Sequence, residues 1–162
     1  FGPFTLPGSK NTPAGRQPPP GPWTLSVRSD YAGADQFVNV VTPAMADLET
    51  TIETVRVTCV GQLTISCQDA LIETDNQTQS MITLLSKDNP PPCIATQASK
   101  VQADLSTLHS SLQATLKGFA DSNSIEFRKA LGRYATSVYA LRADIATVSA
   151  AEPTCSKEQT GP

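Results

Sequence analysis

Four cysteines, Cys59, Cys67, Cys93 and Cys155, and a single histidine, His109, are the residues whose types most readily do chemistry in this chain. An even number of cysteines suits two disulfides. Zinc suits them poorly, because seven residues separate Cys59 from Cys67, wider than the usual ligand spacing, and His109 stands apart from every cysteine. His109 is followed by Ser110 and Ser111, but neighbours on a helix do not face each other, so no nucleophile and base are paired there. His109 therefore reads as a boundary or surface residue. No Gly-rich phosphate loop, His-x-x-x-His pair or nucleophile elbow occurs in the sequence. No catalytic residue, metal or cofactor is expected, and the chain reads as a non-enzyme. Two carboxylates found buried and close together would reopen that question.

Charge and hydropathy narrow the classes further. The 162 residues carry 12 basic and 15 acidic side chains, a net charge of -3, which leaves no broad positive surface for nucleic acid. No apolar run reaches the roughly 18 residues of a membrane span, so no membrane-spanning segment is expected. The chain opens at Phe1 without a signal-like stretch and reads as a mature or trimmed form. Asn76-Gln77-Thr78 is a candidate N-glycosylation acceptor, and with the cysteines it points to a secreted, extracellular protein. The alternative is a cytosolic protein with free buried thiols and a chance Asn-x-Thr.

The elements that must position these residues can be read from periodicity. Residues 1–33 hold seven of the thirteen prolines and no apolar repeat, so they are expected to form a flexible, disordered arm, made basic by Lys10, Arg16 and Arg28. Residues 34–155 form the expected bundle domain, and 156–162 a flexible C-terminal tail. Phe37 or Val38, then Val41, Met45, Leu48, Ile52 and Val55, recur at steps of three and four, which predicts a helix over 35–57. The β-branched run around Cys59 and the following Gly61 predict a break near 58–63. A second helix over 64–86 carries Cys67, Leu71, Thr74, Thr78, Met81 and Leu85, with two threonines interrupting its stripe. Pro90, Pro91 and Pro92 end it.

A third helix over 93–118 repeats Ile94, Ala98, Val101, Leu105, Leu108, Leu112 and Leu116 and stops near Gly118, a natural C-terminal glycine. Asn123, with Glu126 three residues on, resembles a capping box and opens a fourth helix over 123–151. Its seam is Phe127, Leu131, Tyr134, Val138, Leu141, Ile145 and Val148, and Pro153 is expected to end it. Short connections then predict an all-α, antiparallel, up-down four-helix bundle.

In such a bundle the start of the third helix lies beside the end of the fourth, which pairs Cys93 with Cys155. Cys59 and Cys67 then staple the corner between the first two helices, a pairing that requires the break at Gly61. The rival arrangement is one helix over 35–86 with Cys59 and Cys67 each reaching a later cysteine.

Residues 35–89 carry eight carboxylates against Arg56 and Lys87, while the fourth helix holds Arg128, Lys129, Arg133 and Arg142. Glu49 with Glu53, and Asp69 with Glu73, are like-charge pairs four apart, each costing about 0.2–0.5 kcal/mol in a helix. They are the candidate partner-binding residues; the alternative is a solvated face. The inward Thr74 and Thr78, with Leu71 and Met81, suggest a cavity for a small apolar ligand, although inward threonines commonly bond their own backbone.

The all-helical Ser/Thr/Ala-rich body from 35 to 155, its four cysteines and the Cys93-Ile94 helix start resemble the small secreted four-cysteine helical proteins of blood-feeding flies. These are the TsetseEP-type midgut and haemolymph proteins and the mosquito salivary inhibitors of the anophensin and albicin type. Plant pectinesterase and invertase inhibitors match less well, their later cysteines being more closely spaced. The resemblance implies a non-catalytic extracellular protein that binds a host protein and inhibits a cascade such as complement or contact activation. The alternative function is a carrier of a lipid or other small apolar ligand.

Overall fold

A computed structural model describes residues 22–60 and 63–159. They form four α-helices, α1 (Pro22–Thr58), α2 (Ile65–Ser86), α3 (Ala95–Ala120) and α4 (Ser124–Gln159), with a 3-10 turn over Pro92–Ile94 leading into α3. Each helix packs on the next in sequence, and α4 closes back onto α1. Among the described residues there is no strand, and no helix is long and apolar enough to cross a membrane.

The apolar stripes read from the sequence are the core. All six expected residues of α1, from Phe37 to Val55, are buried. So are the six of α2, from Cys67 to Leu85, the two threonines included. Ile94 to Leu112 line the α3 side. On α4, Phe127, Tyr134, Val138, Leu141 and Val148 are buried, and Leu131 and Ile145 pack partly covered against them. Both disulfides are formed, Cys59 with Cys67 at a Cα separation of 4.7 Å and Cys93 with Cys155 at 5.5 Å. The first needs the chain to leave the helix between them, and α1 does end at Thr58. The rival single helix over 35–86 is thereby excluded.

Three boundaries differ from expectation. α1 begins at Pro22 instead of near 35, so twelve positions assigned to the arm, 22–33, are helical; residues 1–21 lie outside the described residues. A proline at the first helical position loses no hydrogen bond and brings its φ preset. Gly33 approaches the ring of Pro91, and Ala34 is fully buried, so α1 is packed against the rest of the bundle from these residues on. α4 does not stop at Pro153 but runs through it to Gln159, which takes residues 156–159 from the expected tail. Pro153 is exposed, where its ring displaces no core side chain, and Cys155 beyond it is fixed to Cys93. Pro43 lies inside α1 in the same way, also facing solvent.

α3 passes Gly118 and ends at Ala120. Gly118 is needed for another reason: a Cβ there would stand 2.8 Å from the Phe127 backbone nitrogen. The left-handed position that closes the helix is Ser122, with φ of 52°. The Asn123 N–H donates to the Gly118 carbonyl at 2.9 Å and the Ser122 N–H to the Phe119 carbonyl at 3.0 Å, a Schellman closure. Asn123 then caps α4, its side-chain oxygen accepting from the Glu126 N–H at 3.1 Å. Thr64 caps α2 likewise, accepting from the Cys67 N–H at 3.1 Å.

Candidate functional site

At the corner between α1 and α2 several large apolar side chains close in sequence remain uncovered. Val57, Val60, Leu63 and Ile65 lie at or beside the break, with Val60 and Ile65 each 74% exposed. The β-branched run that ends α1 supplies two of them, and the Cys59–Cys67 bond draws the two helix ends together beneath them. Ile65, Asp69, Ile72 and Asn76 follow at steps of four, three and four, so they share one exposed face of α2 with Glu73 beside it. The glycosylation candidate Asn76 is thus accessible, and it sits on the same face as Asp69.

The four candidate acidic residues separate into two kinds. Glu49 accepts from Arg142 of α4, Nε to Oε2 at 2.7 Å and Nη2 to Oε1 at 2.6 Å, a two-pronged bridge between helices. Glu53 accepts from Arg56 one turn on, with Nε at 3.0 and 3.1 Å from its two oxygens. The Arg56 hydrogen bond holds the Glu53 carboxyl below its usual range, and the guanidiniums of Arg56 and Arg142 are raised in turn by their Glu partners. Asp69 and Glu73 are exposed, and no described residue forms an ion pair with either. Asp69 and Glu73 of α2 therefore keep uncompensated charge, as does the exposed Asp47 of α1.

Thr74 and Thr78 do not line a cavity. Their hydroxyls donate to the Ala70 and Thr74 carbonyls at 2.7 and 2.8 Å, and Leu71 and Met81 beside them are fully packed. An apolar groove of about 280 Å³ lies instead between α1 and α4, walled by Ile52, Val55, Leu131, Tyr134 and Val138, with Arg56 and Arg142 also lining it.

Two polar features escaped the sequence reading. Asp75, 3% exposed, joins α2 to α3: Oδ1 lies 2.7 Å from Nδ1 of His109, and Oδ2 accepts from Gln113 at 2.7 Å and Gln79 at 2.9 Å. Its position four residues after Leu71, flanking the inward stripe, is the signal in the sequence. The other feature is a pair of carboxyl groups, Asp104 of α3 and Asp144 of α4. Burial, followed by the hydrogen bond to Asp144 and that residue's charge, pushes Asp104 up to about 7, with Lys100 opposing. Glu152 of α4 and Asp35 of α1 form a second such pair, in which burial and then Asp35 raise Glu152. Carboxylates close together are thus present at half-buried positions, while the α1–α4 groove is lined by other residues. Among the described residues no group of three or more His, Cys, Asp or Glu is placed to hold a metal ion.

Comparisons with protein families, with curated proteins and with solved structures found no match to this chain.

Proposed function

We propose that this chain is a secreted, non-catalytic binding protein that docks onto another extracellular protein through the α1–α2 corner and the exposed acidic face of α2. The observation that carries this reading is the corner itself: Val60, Leu63 and Ile65 stay exposed on the segment that the Cys59–Cys67 bond ties, with the exposed Val57 just before it. A tied segment loses little conformational entropy on docking, and large apolar side chains at its centre exclude water from the contact. Asp69 and Glu73 stand beside it with uncompensated charge, which speeds encounter with a basic partner. Two disulfides fit an oxidising, extracellular setting. The resemblance to secreted inhibitors of blood-feeding flies favours a host cascade, complement or contact activation, as the target.

The test is capture from host plasma on immobilised protein, with complement and clotting times measured in parallel. The parent protein should retain a plasma component and slow one cascade. Val60→Asp with Ile65→Asp should abolish both effects, while Asp69→Lys with Glu73→Lys should slow association at low salt, all with helical content unchanged. If no plasma protein is retained and neither cascade slows, the host-inhibitor reading fails.

A further inference from the structure

The groove between α1 and α4 has a polar character that its apolar walls do not explain. Tyr134 forms part of the wall and is 6% exposed, and its hydroxyl is closed off from solvent with no hydrogen-bond partner among the described residues. Buried hydroxyls without a partner are uncommon in folded proteins, and each asks for an explanation. This one stays protonated, because burial pushes its ionisation far above the ordinary tyrosine range; Arg142 opposes that shift and Glu49 adds to it. It is therefore a hydrogen-bond donor in search of an acceptor.

The two arginines at the groove have the same bias. Each uses Nε and Nη2 on its own glutamate, Glu53 for Arg56 and Glu49 for Arg142. Nη1 of both has no acceptor among the described residues. Every uncommitted polar group at the groove is thus a donor. The two guanidiniums are each matched by a carboxylate, so it is the unused donors, and not net charge, that select the head group. A carboxylate matches the planar fork of a guanidinium better than any other single-charge head. The volume limits the rest of the ligand: at about 30 Å³ per water-sized group, some 280 Å³ takes roughly nine heavy atoms.

We propose that the α1–α4 groove is a binding site for a small monocarboxylate amphiphile, its apolar body of about six or seven carbons lying between Val55 and Val138 and its carboxylate on Tyr134, Arg56 and Arg142. The site lies apart from the α1–α2 docking corner in its chemistry and in its walls, so either assignment can fail without the other. It also differs from the cavity expected around Thr74 and Thr78, which is filled.

Sodium octanoate is the probe, titrated into the full chain while side-chain methyl and tyrosine ring resonances are followed by NMR. Saturable one-to-one shifts should centre on Ile52, Val55, Val138 and Tyr134. Octylamine, a cation at neutral pH with the same chain length, should bind at least about tenfold more weakly, a difference of about 1.4 kcal/mol. Tyr134→Phe, which removes one oxygen and no packing, should weaken octanoate several-fold with the circular dichroism spectrum unchanged. Arg56→Gln should do the same. Ala135→Trp, at an exposed position on the groove, should block octanoate outright. Octylamine binding as tightly as octanoate, shifts centred on α2 and α3, no saturation, or full octanoate affinity in both Tyr134→Phe and Arg56→Gln would each overturn the proposal.

Discussion

The Asp75 carboxylate and the His109 ring, 34 positions apart in sequence, meet at 2.7 Å across the α2–α3 interface. An ionised carboxylate only accepts, so the contact places the ring proton on Nδ1. With Gln79 and Gln113 on its second oxygen, Asp75 is a buried charge held by three donors and no permanent cation. Removing the carboxylate unties α2 from α3 there, although Gln79 and Gln113 are exposed enough to turn to water. Asp75→Ala is expected to cost about 1.5–3 kcal/mol, the range for hydrogen bonds to a charged group, whereas His109→Ala, at a half-exposed position, should cost about 1 kcal/mol. Urea unfolding of both variants, followed by circular dichroism, measures the difference.

Gly118 and Ser122, four residues apart at the end of α3, make opposite predictions. Gly118→Ala forces a Cβ to within 2.8 Å of backbone at Phe127, which cannot yield as a flexible side chain would, so a loss of about 1–3 kcal/mol is expected. Ser122 holds a left-handed φ of 52° with a Cβ attached. Ser122→Gly should therefore raise stability by about 0.5–1 kcal/mol, the strain relieved being partly offset by greater freedom in the unfolded chain. Thermal unfolding checks both signs.

Asp104 sets a pH dependence. Its carboxyl titrates near 3.8 in the ordinary state and is pushed up to about 7 in the fold, by burial first and by Asp144 second. A raised folded value means the folded protein holds the proton more tightly. The stabilising contribution is complete below about pH 4 and fades as pH rises to 7. Glu152, raised by burial and Asp35, acts in the same direction. Asp104→Asn mimics the protonated side chain, so its Tm should exceed the parent's by a margin that widens from pH 4.5 to pH 7.5. A margin that narrows over that window would contradict the assignment.

The two disulfides should differ in what they contribute. Cys93 and Cys155 are 62 positions apart, and Cys59 and Cys67 only 8. Loop-closure entropy gives about 4 kcal/mol for the longer ring and about 2.5 kcal/mol for the shorter. Double alanine replacement of each pair, compared by guanidinium unfolding, should show the Cys93–Cys155 variant as the less stable.

What the sequence made legible was what repeats locally. Leu71, Thr74, Thr78 and Met81 announce an inward face by spacing alone, and all four are buried. The break between Thr58 and Ile65 and both cysteine pairings follow from that spacing plus the reach of a disulfide. Pro153 misled because its helix-ending tendency is local, whereas the helix around it is held by Cys155 on the far side. Asp75 was hidden because its three donors come from two turns of chain that only folding brings together. The groove beside Tyr134 was hidden for the same reason: its two walls lie some 80 residues apart in sequence, and spacing within either helix says nothing of the gap between them. Glu49 and Glu53 counted as a like-charge pair along α1, and the arginines that answer them were visible only as residues of unknown facing.

The bond between Cys93 and Cys155 also has a mechanical meaning. It closes a covalent ring around α3 and α4, so tension applied to the chain on either side of that ring crosses directly from one sulfur to the other. The residues inside carry none of the load. At about 3.4 Å per residue, the 62-residue separation keeps some 200 Å of contour out of reach of a pulling force. Under stretch, α1 and α2 would unravel while the α3–α4 hairpin behaved as a short inextensible link, until a reductant opened the ring and released that length in one step.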